Sequence, residues 1–146
     1  MARTVVALQY PATRYRSAVP DLTARDERAR LSRPALQAFF TIMSEWKVRD
    51  EDARALLGGV SNGPFYEMKR NPDRVLETDR LTRVSYLIGI YKALHILHGD
   101  SLADEWMRLP NSNPIFNGQT PLAYVIRGGL PAMQTVRRLL DARRAG

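Results

Sequence analysis

The sequence predicts an all-α protein, with a helix-turn-helix region followed by a small helical C-terminal region. Three observations carry that expectation. After Ser32 the apolar residues recur at spacings of three and four, the periodicity of helices with one buried face. Capping residues, prolines and glycines fall where such helices would begin and end. No stretch alternates apolar and polar residues as a half-buried strand does.

Residues 1–33 show no apolar periodicity beyond Val5, Val6 and Leu8, and they contain Pro11 and Pro20. They are expected to form a mobile basic arm with one short helix near Leu22 to Leu31, either a solubilising tail or a DNA-contacting arm. Ser32 is placed to cap the first long helix, with Pro34 tolerated in its first turn and Leu36, Phe39, Phe40, Met43 and Trp46 on its apolar face. Asp50, Glu51 and Asp52 open a second, short helix that runs into Gly58-Gly59. Ser61-Asn62-Gly63-Pro64 starts a third, which Asn71-Pro72 ends. Two short helices joined by a glycine-containing turn make a helix-turn-helix.

Thr78 is then expected to cap a core helix bearing Leu81, Val84, Leu87, Ile88, Tyr91, Leu94 and Leu97, closed by Gly99. Ser101 with Asp104 is expected to start a further helix carrying Leu102 and Trp106. The stretch Asn111 to Gly118 is rich in turn formers. Thr120-Pro121 begins a short helix ending at Gly128-Gly129, and Leu130-Pro131 opens a last one with Met133, Val136, Leu139 and Leu140 on one side.

The 146 residues fit one modest domain or a small domain with an appendage, and 45% apolar usage suffices for a core. With no cysteine, disulfides, cysteine-ligated zinc and thiol nucleophiles are excluded. No apolar run approaches the ~20 residues of a membrane span, and Met1-Ala2-Arg3-Thr4 does not open a secretory signal, so a cytoplasmic protein without membrane contact is expected. The net charge of +7 suggests an acidic partner. Its distribution is uneven: seven basic against three acidic residues in 1–33, nine against eight in 34–99, and six against four in 100–146.

Enzymatic chemistry finds little to work with. His95 and His98 share a helix face three residues apart, but no third metal ligand is evident, and neither Gly58-Gly59 nor Gly128-Gly129 has the context of a phosphate loop. No catalytic residues, metal or cofactor are assigned. In a helix-turn-helix the second helix meets the major groove, which would make Ser61, Asn62 and Tyr66 base readers and Lys69 and Arg70 phosphate contacts. Glu67 and the near-neutral charge of 34–99 oppose that use. The last helix carries Arg137, Arg138, Arg143 and Arg144 against Asp141 alone, which suits a phosphate-bearing cleft on a partner.

Ser32 to Phe40, Arg83 to Leu97, Leu109-Pro110-Asn111, and Gly128-Gly129 through Val136 to Asp141 together resemble the MbcA/ParS/Xre antitoxin family, over roughly residues 32 to 146. The resemblance implies a non-enzymatic type II antitoxin with an Xre-like helix-turn-helix and a C-terminal toxin-binding domain. Its implied partner is a RES-domain toxin that consumes NAD, by degradation or by ADP-ribosylation, and whose active site the antitoxin's C-terminal region covers. A homodimer within the toxin–antitoxin complex and autoregulation at operator DNA are implied as well. Carried onto this chain, the toxin-facing residues are Asn111, Phe116, Arg127, Arg137, Arg138, Leu140, Arg143, Arg144 and Gly146. The third helix departs from the family pattern, with Gly63-Pro64 early, Glu67, and Met68 where tryptophan is common. The expected organisation is an arm over 1–33, the helix-turn-helix domain over 34–99 and the toxin-binding domain over 100–146. The alternative is a stand-alone helix-turn-helix transcriptional regulator.

Overall fold

Acidic residues near a helix start and apolar residues on its inner face account for α1, which spans Arg25–Glu45. The computed structural model describes residues 20–145, and among them the helices are α1, α2 (Asp50–Leu56), α3 (Asn62–Arg70), α4 (Thr78–Leu97), α5 (Asp100–Trp106) and α6 (Pro121–Ala145). A 3-10 turn covers Pro114–Phe116, and no strand is present among the described residues. The all-α expectation holds.

The start of α1 corrects the sequence reading. The expected short helix near Leu22 to Leu31 and the expected long helix from Ser32 are one element, so the boundary drawn at 33/34 falls inside it. Asp26 and Glu27 occupy the first turn, where carboxylates favour the positive end of the helix. Just before it, the Asp21 carboxylate accepts from the Thr23 amide at 3.0 Å and the Thr23 hydroxyl at 2.6 Å. Ser32 is no cap. It is fully buried mid-helix, where its hydroxyl donates to the Arg28 carbonyl at 2.6 Å and accepts from the Leu76 amide at 2.8 Å. Pro34 is tolerated inside the helix because it sits on the exposed side, where the carbonyl it leaves unpaired can be hydrated. The expected behaviour of residues 1–19 lies outside the described residues.

The next two helices form where expected. Asp50, Glu51 and Asp52 fill the first turn of α2. The chain then turns through Gly58 at φ 96° and Gly59 at φ 87°, values that other residues adopt only with strain. Ser61 precedes α3 but makes no capping bond through its side chain. Asn71 is extended at the end of α3, as the residue before a proline tends to be.

Helix α4 is the centre of the molecule and packs against α1, α5 and α6. It buries Leu81, Val84, Leu87, Ile90, Ala93 and Leu94, while Ile88, Tyr91 and Leu97 line the edge of the core. Thr78 is its first residue, not its cap: Glu77 holds the cap position, and the Thr78 hydroxyl donates instead to the Leu22 carbonyl at 2.9 Å. Gly99 does not close α4 either. His98 is already extended, and Gly99 is the residue that precedes α5, with Ser101 inside that helix. A link this short leaves no room for a separate closing turn and opening cap.

Residues 111–118 are irregular apart from the 3-10 turn, whose start is capped by the Asn113 side chain accepting from the Ile115 amide at 3.1 Å. Thr120 caps α6 through its hydroxyl, which accepts from the Ala123 amide at 3.1 Å. The expected break between the two last helices is a kink inside α6 at Gly129, whose φ of 64° and ψ of −144° belong to glycine. Beyond the kink, Met133, Val136 and Leu140 enter a single apolar cluster that reaches back to Leu36 and Phe39 of α1 and to Trp46 just after it.

Ser32 ties α1 to the segment between α3 and α4, and Ser32→Ala would strand the buried Leu76 amide. The variant is expected to lose about 1–3 kcal/mol of stability in urea unfolding, with an unchanged denaturant slope.

Candidate functional site

The basic residues of α3 are exposed but engaged. Ser61, Asn62, Tyr66, Lys69 and Arg70 all lie on the outside of the molecule, while Phe65 and Met68 anchor the helix in the core. The Tyr66 hydroxyl donates to Asp50 of α2 at 3.0 Å, and the Lys69 ammonium lies 3.6 Å from the same carboxylate. Arg70 pairs with Glu67. Hydrogen bonding to Asp50 raises the Tyr66 pKa above its ordinary value. The expected base-reading face is therefore one surface, with its charge partly neutralised.

The C-terminal candidates separate into two groups. Arg127, Arg138, Arg143 and Arg144 are exposed, and among the described residues Arg127, Arg138 and Arg143 have no carboxylate partner; Arg144 is 3.8 Å from Asp141. Arg137 is half-buried. Its Nε donates to both oxygens of Asp141 at 3.0 and 3.1 Å, and its guanidinium lies over Gly89 of α4, where a Cβ would collide with it. Phe116 and Leu140 correct the sequence reading, because both are core residues: Leu140 is sealed in the cluster, and Phe116 packs edge-on against Trp106 and Tyr124 at ring separations of 6.0 and 5.3 Å. Gly146 lies outside the described residues.

Two surface recesses bring other candidates together. One of about 250 Å³ is lined by Trp106, Leu109, Pro110, Asn111, Ser112 and Arg143. Another of about 270 Å³ joins Arg127 to the edge of Phe116 and to Ile115. Four large apolar residues between 96 and 115, Ile96, Leu102, Leu109 and Ile115, are 39–62% exposed, and of these Leu109 and Ile115 line the two recesses. Ile96 lies on the side of α4 that periodicity assigns outward, which is the signal that could have found it, whereas Leu102, expected beside Trp106 on the apolar face of α5, is exposed while Trp106 is buried.

His95 was paired in the sequence reading with His98, but the fold gives it other neighbours. Its Nδ1 lies 3.1 Å from Asp100 and its Nε2 3.0 Å from Asp104, so both ring nitrogens face carboxylates and both donate only in the imidazolium form. Burial disfavours that charge, but the bonds to Asp100 and Asp104 outweigh it, and the His95 pKa is raised above 6.5. The Tyr91 ring packs against the His95 ring, tilted by 42° with centroids 4.3 Å apart, and hydrogen bonding to Glu45 pushes the Tyr91 phenol up to about 12.

With this geometry in place, comparison with known proteins defines the class. Residues 92–146 match the model of the antitoxin Xre/MbcA/ParS C-terminal toxin-binding domain. A protein of Sinorhizobium fredii (strain NBRC 101917 / NGR234), the uncharacterized protein y4oB, is 35% identical over 112 residues, covering 76% of this chain and 84% of the relative. No solved structure matches significantly. The chain belongs to the Xre/MbcA/ParS antitoxin family. It carries a toxin-binding domain of the kind found in type II toxin–antitoxin systems, so its partner is a toxin protein, and antitoxins of this family are generally non-enzymatic. No helix among the described residues is long and apolar enough to cross a membrane.

The raised His95 pKa has a definite consequence for stability. The contribution of the charged ring is fully present below pH 6.5 and is lost as pH rises through the folded-state value. The melting temperature is expected to fall as pH rises above 6.5. His95→Gln should flatten that slope; an equal slope in the variant would show that another group carries it.

Proposed function

We propose that this antitoxin neutralises a RES-domain, NAD-consuming toxin by covering its active site with the exposed face of its C-terminal region. The observation that carries the reading is the set of arginines without carboxylate partners among the described residues, Arg127, Arg138 and Arg143, on the same helix as Arg144. Guanidinium groups not paired with a carboxylate suit a cleft that binds the pyrophosphate of a dinucleotide, because each presents parallel donors to phosphate oxygens. The exposed Ile96, Leu102, Leu109 and Ile115 supply the apolar contacts that arginine-rich protein interfaces combine with such charges. Asn111 joins the surface through its recess with Arg143. Occlusion needs no chemistry from the antitoxin. Arg137 acts here as a positioning group for α6, and the burial of Phe116 and Leu140 makes them supports for the binding face.

Removing the last helix is a poor test, since it would also remove Met133, Val136 and Leu140 from the core. Arg138→Glu, Arg143→Glu and Arg144→Glu together alter only exposed side chains and should leave the melting temperature nearly unchanged. Co-expression with a RES toxin encoded beside this gene should then fail to restore growth, with toxin affinity reduced about tenfold or more and NAD consumption released. Full protection by the triple variant would refute the reading.

The same proposal includes autoregulation through a homodimer, with α2 and α3 serving as the helix-turn-helix. Asn62, Lys69 and Arg70 are the exposed groups available to an operator. Replacing the three with alanine should abolish a gel shift of the operon's own promoter, and wild-type binding should weaken steeply between about 50 and 200 mM salt. If the variant shifts the promoter as well as wild type does, α3 is not the reader.

A further inference from the structure

We propose a divalent transition-metal site of the zinc class at Glu45, His95 and Asp104, where the ends of α1 and α4 meet α5. Each residue offers one donor atom, and these atoms lie within 4.8 Å of one another. A tetrahedral ion bound at about 2.1 Å holds its ligands about 3.4 Å apart, so the His95 to Asp104 separation of 3.0 Å needs only a few tenths of an ångström of opening. The donor set, one imidazole and two carboxylates, leaves a fourth position for water.

Four independent features point to a cation. Asp100 faces the other ring nitrogen of His95 at 3.1 Å, which is the carboxylate–histidine arrangement that fixes the tautomer and aims the free nitrogen at a metal. One oxygen of Glu45 is sealed from solvent and has no hydrogen-bond partner among the described residues. Glu45 ends α1 and His95 is in the last turn of α4, so two helix C-termini direct partial negative charge toward the site. Glu45, Asp100 and Asp104 also have no lysine or arginine partner among the described residues, in a chain whose net charge is +7. The side chains of His95 and Asp104 are 21% and 32% exposed, shielded yet reachable. Because His95 and Asp104 belong to the matched toxin-binding segment and Glu45 does not, the ion would clamp that segment to α1.

The test uses the full chain after chelation. Calorimetric titration with zinc chloride should give one saturable site and a higher melting temperature that EDTA reverses. Cobalt in place of zinc should produce visible ligand-field bands. Glu45→Gln, which touches neither histidine bond, and His95→Gln should each abolish the bands and weaken zinc binding about 100-fold or more, while Asp100→Asn should weaken it about 10-fold to 100-fold. His98→Gln should change nothing. Absence of saturable binding, binding unchanged in Glu45→Gln and His95→Gln, or loss of binding only in His98→Gln would each overturn the site.

Discussion

Burial of α4 is the constraint on which the rest of the structure depends. The helix is covered by α1, α5 and α6, so it is the surface on which the N-terminal helices and the toxin-binding segment are joined. Each large apolar side chain it buries contributes ~1.5–3 kcal/mol, against a net stability of ~5–15 kcal/mol for a typical domain. Helix α6 therefore cannot peel away to meet a toxin without unfolding its own domain. Any contact α6 makes with a partner is confined to the face that is already outside, and the glycine at position 89 lets α6 lie close by making room for the Arg137 guanidinium.

Periodicity made the helices legible, because burial of one face is a property of local sequence. Leu36, Phe39 and Met43 announce α1, and Met133, Val136 and Leu140 announce the end of α6, without reference to any neighbour. Helix ends were harder to read for a specific physical reason. Ser32 and Thr78 both have the chemistry of a cap, but each hydroxyl is used across the fold, toward Leu76 and Leu22. A cap and a tertiary hydrogen bond satisfy the same donor and acceptor, and nothing in the local sequence distinguishes them. The two residues separating α4 from α5 pose the same problem, since Gly99 can end one helix or precede the next.

The candidate site was legible where it depended on charge and obscure where it depended on packing. The arginines of α6 are conspicuous in sequence, and four of the five on that helix are exposed. Phe116 sits in a stretch of turn formers and so reads as a surface residue, yet Trp106 and Tyr124 enclose it. The neighbours of His95 come from two other helices, at separations of 5, 9 and 50 residues, which no helical spacing rule connects. Helical spacing offers His98, three residues on, as the partner instead, but α4 ends at Leu97 and His98 is extended.

How the charges are paired also separates the two basic surfaces, which composition alone could not rank. On α3, Lys69 and Arg70 each have a carboxylate within reach, so binding a phosphate there means exchanging an existing partner. Such exposed pairs are worth only ~0–1 kcal/mol, and they lower the local potential without forbidding DNA. On α6, Arg127, Arg138 and Arg143 have no such partner among the described residues, and the field of their charge is spent on whatever approaches. The matched toxin-binding segment contains all three, together with the exposed aliphatic residues that a protein interface requires. An operator would use the charge of α6 but gain nothing from Ile96, Leu102, Leu109 and Ile115, whereas a protein cleft uses both. The unpaired charge and the exposed apolar residues are thus both usable by a protein partner, while α3 is a surface whose charge is already partly paired.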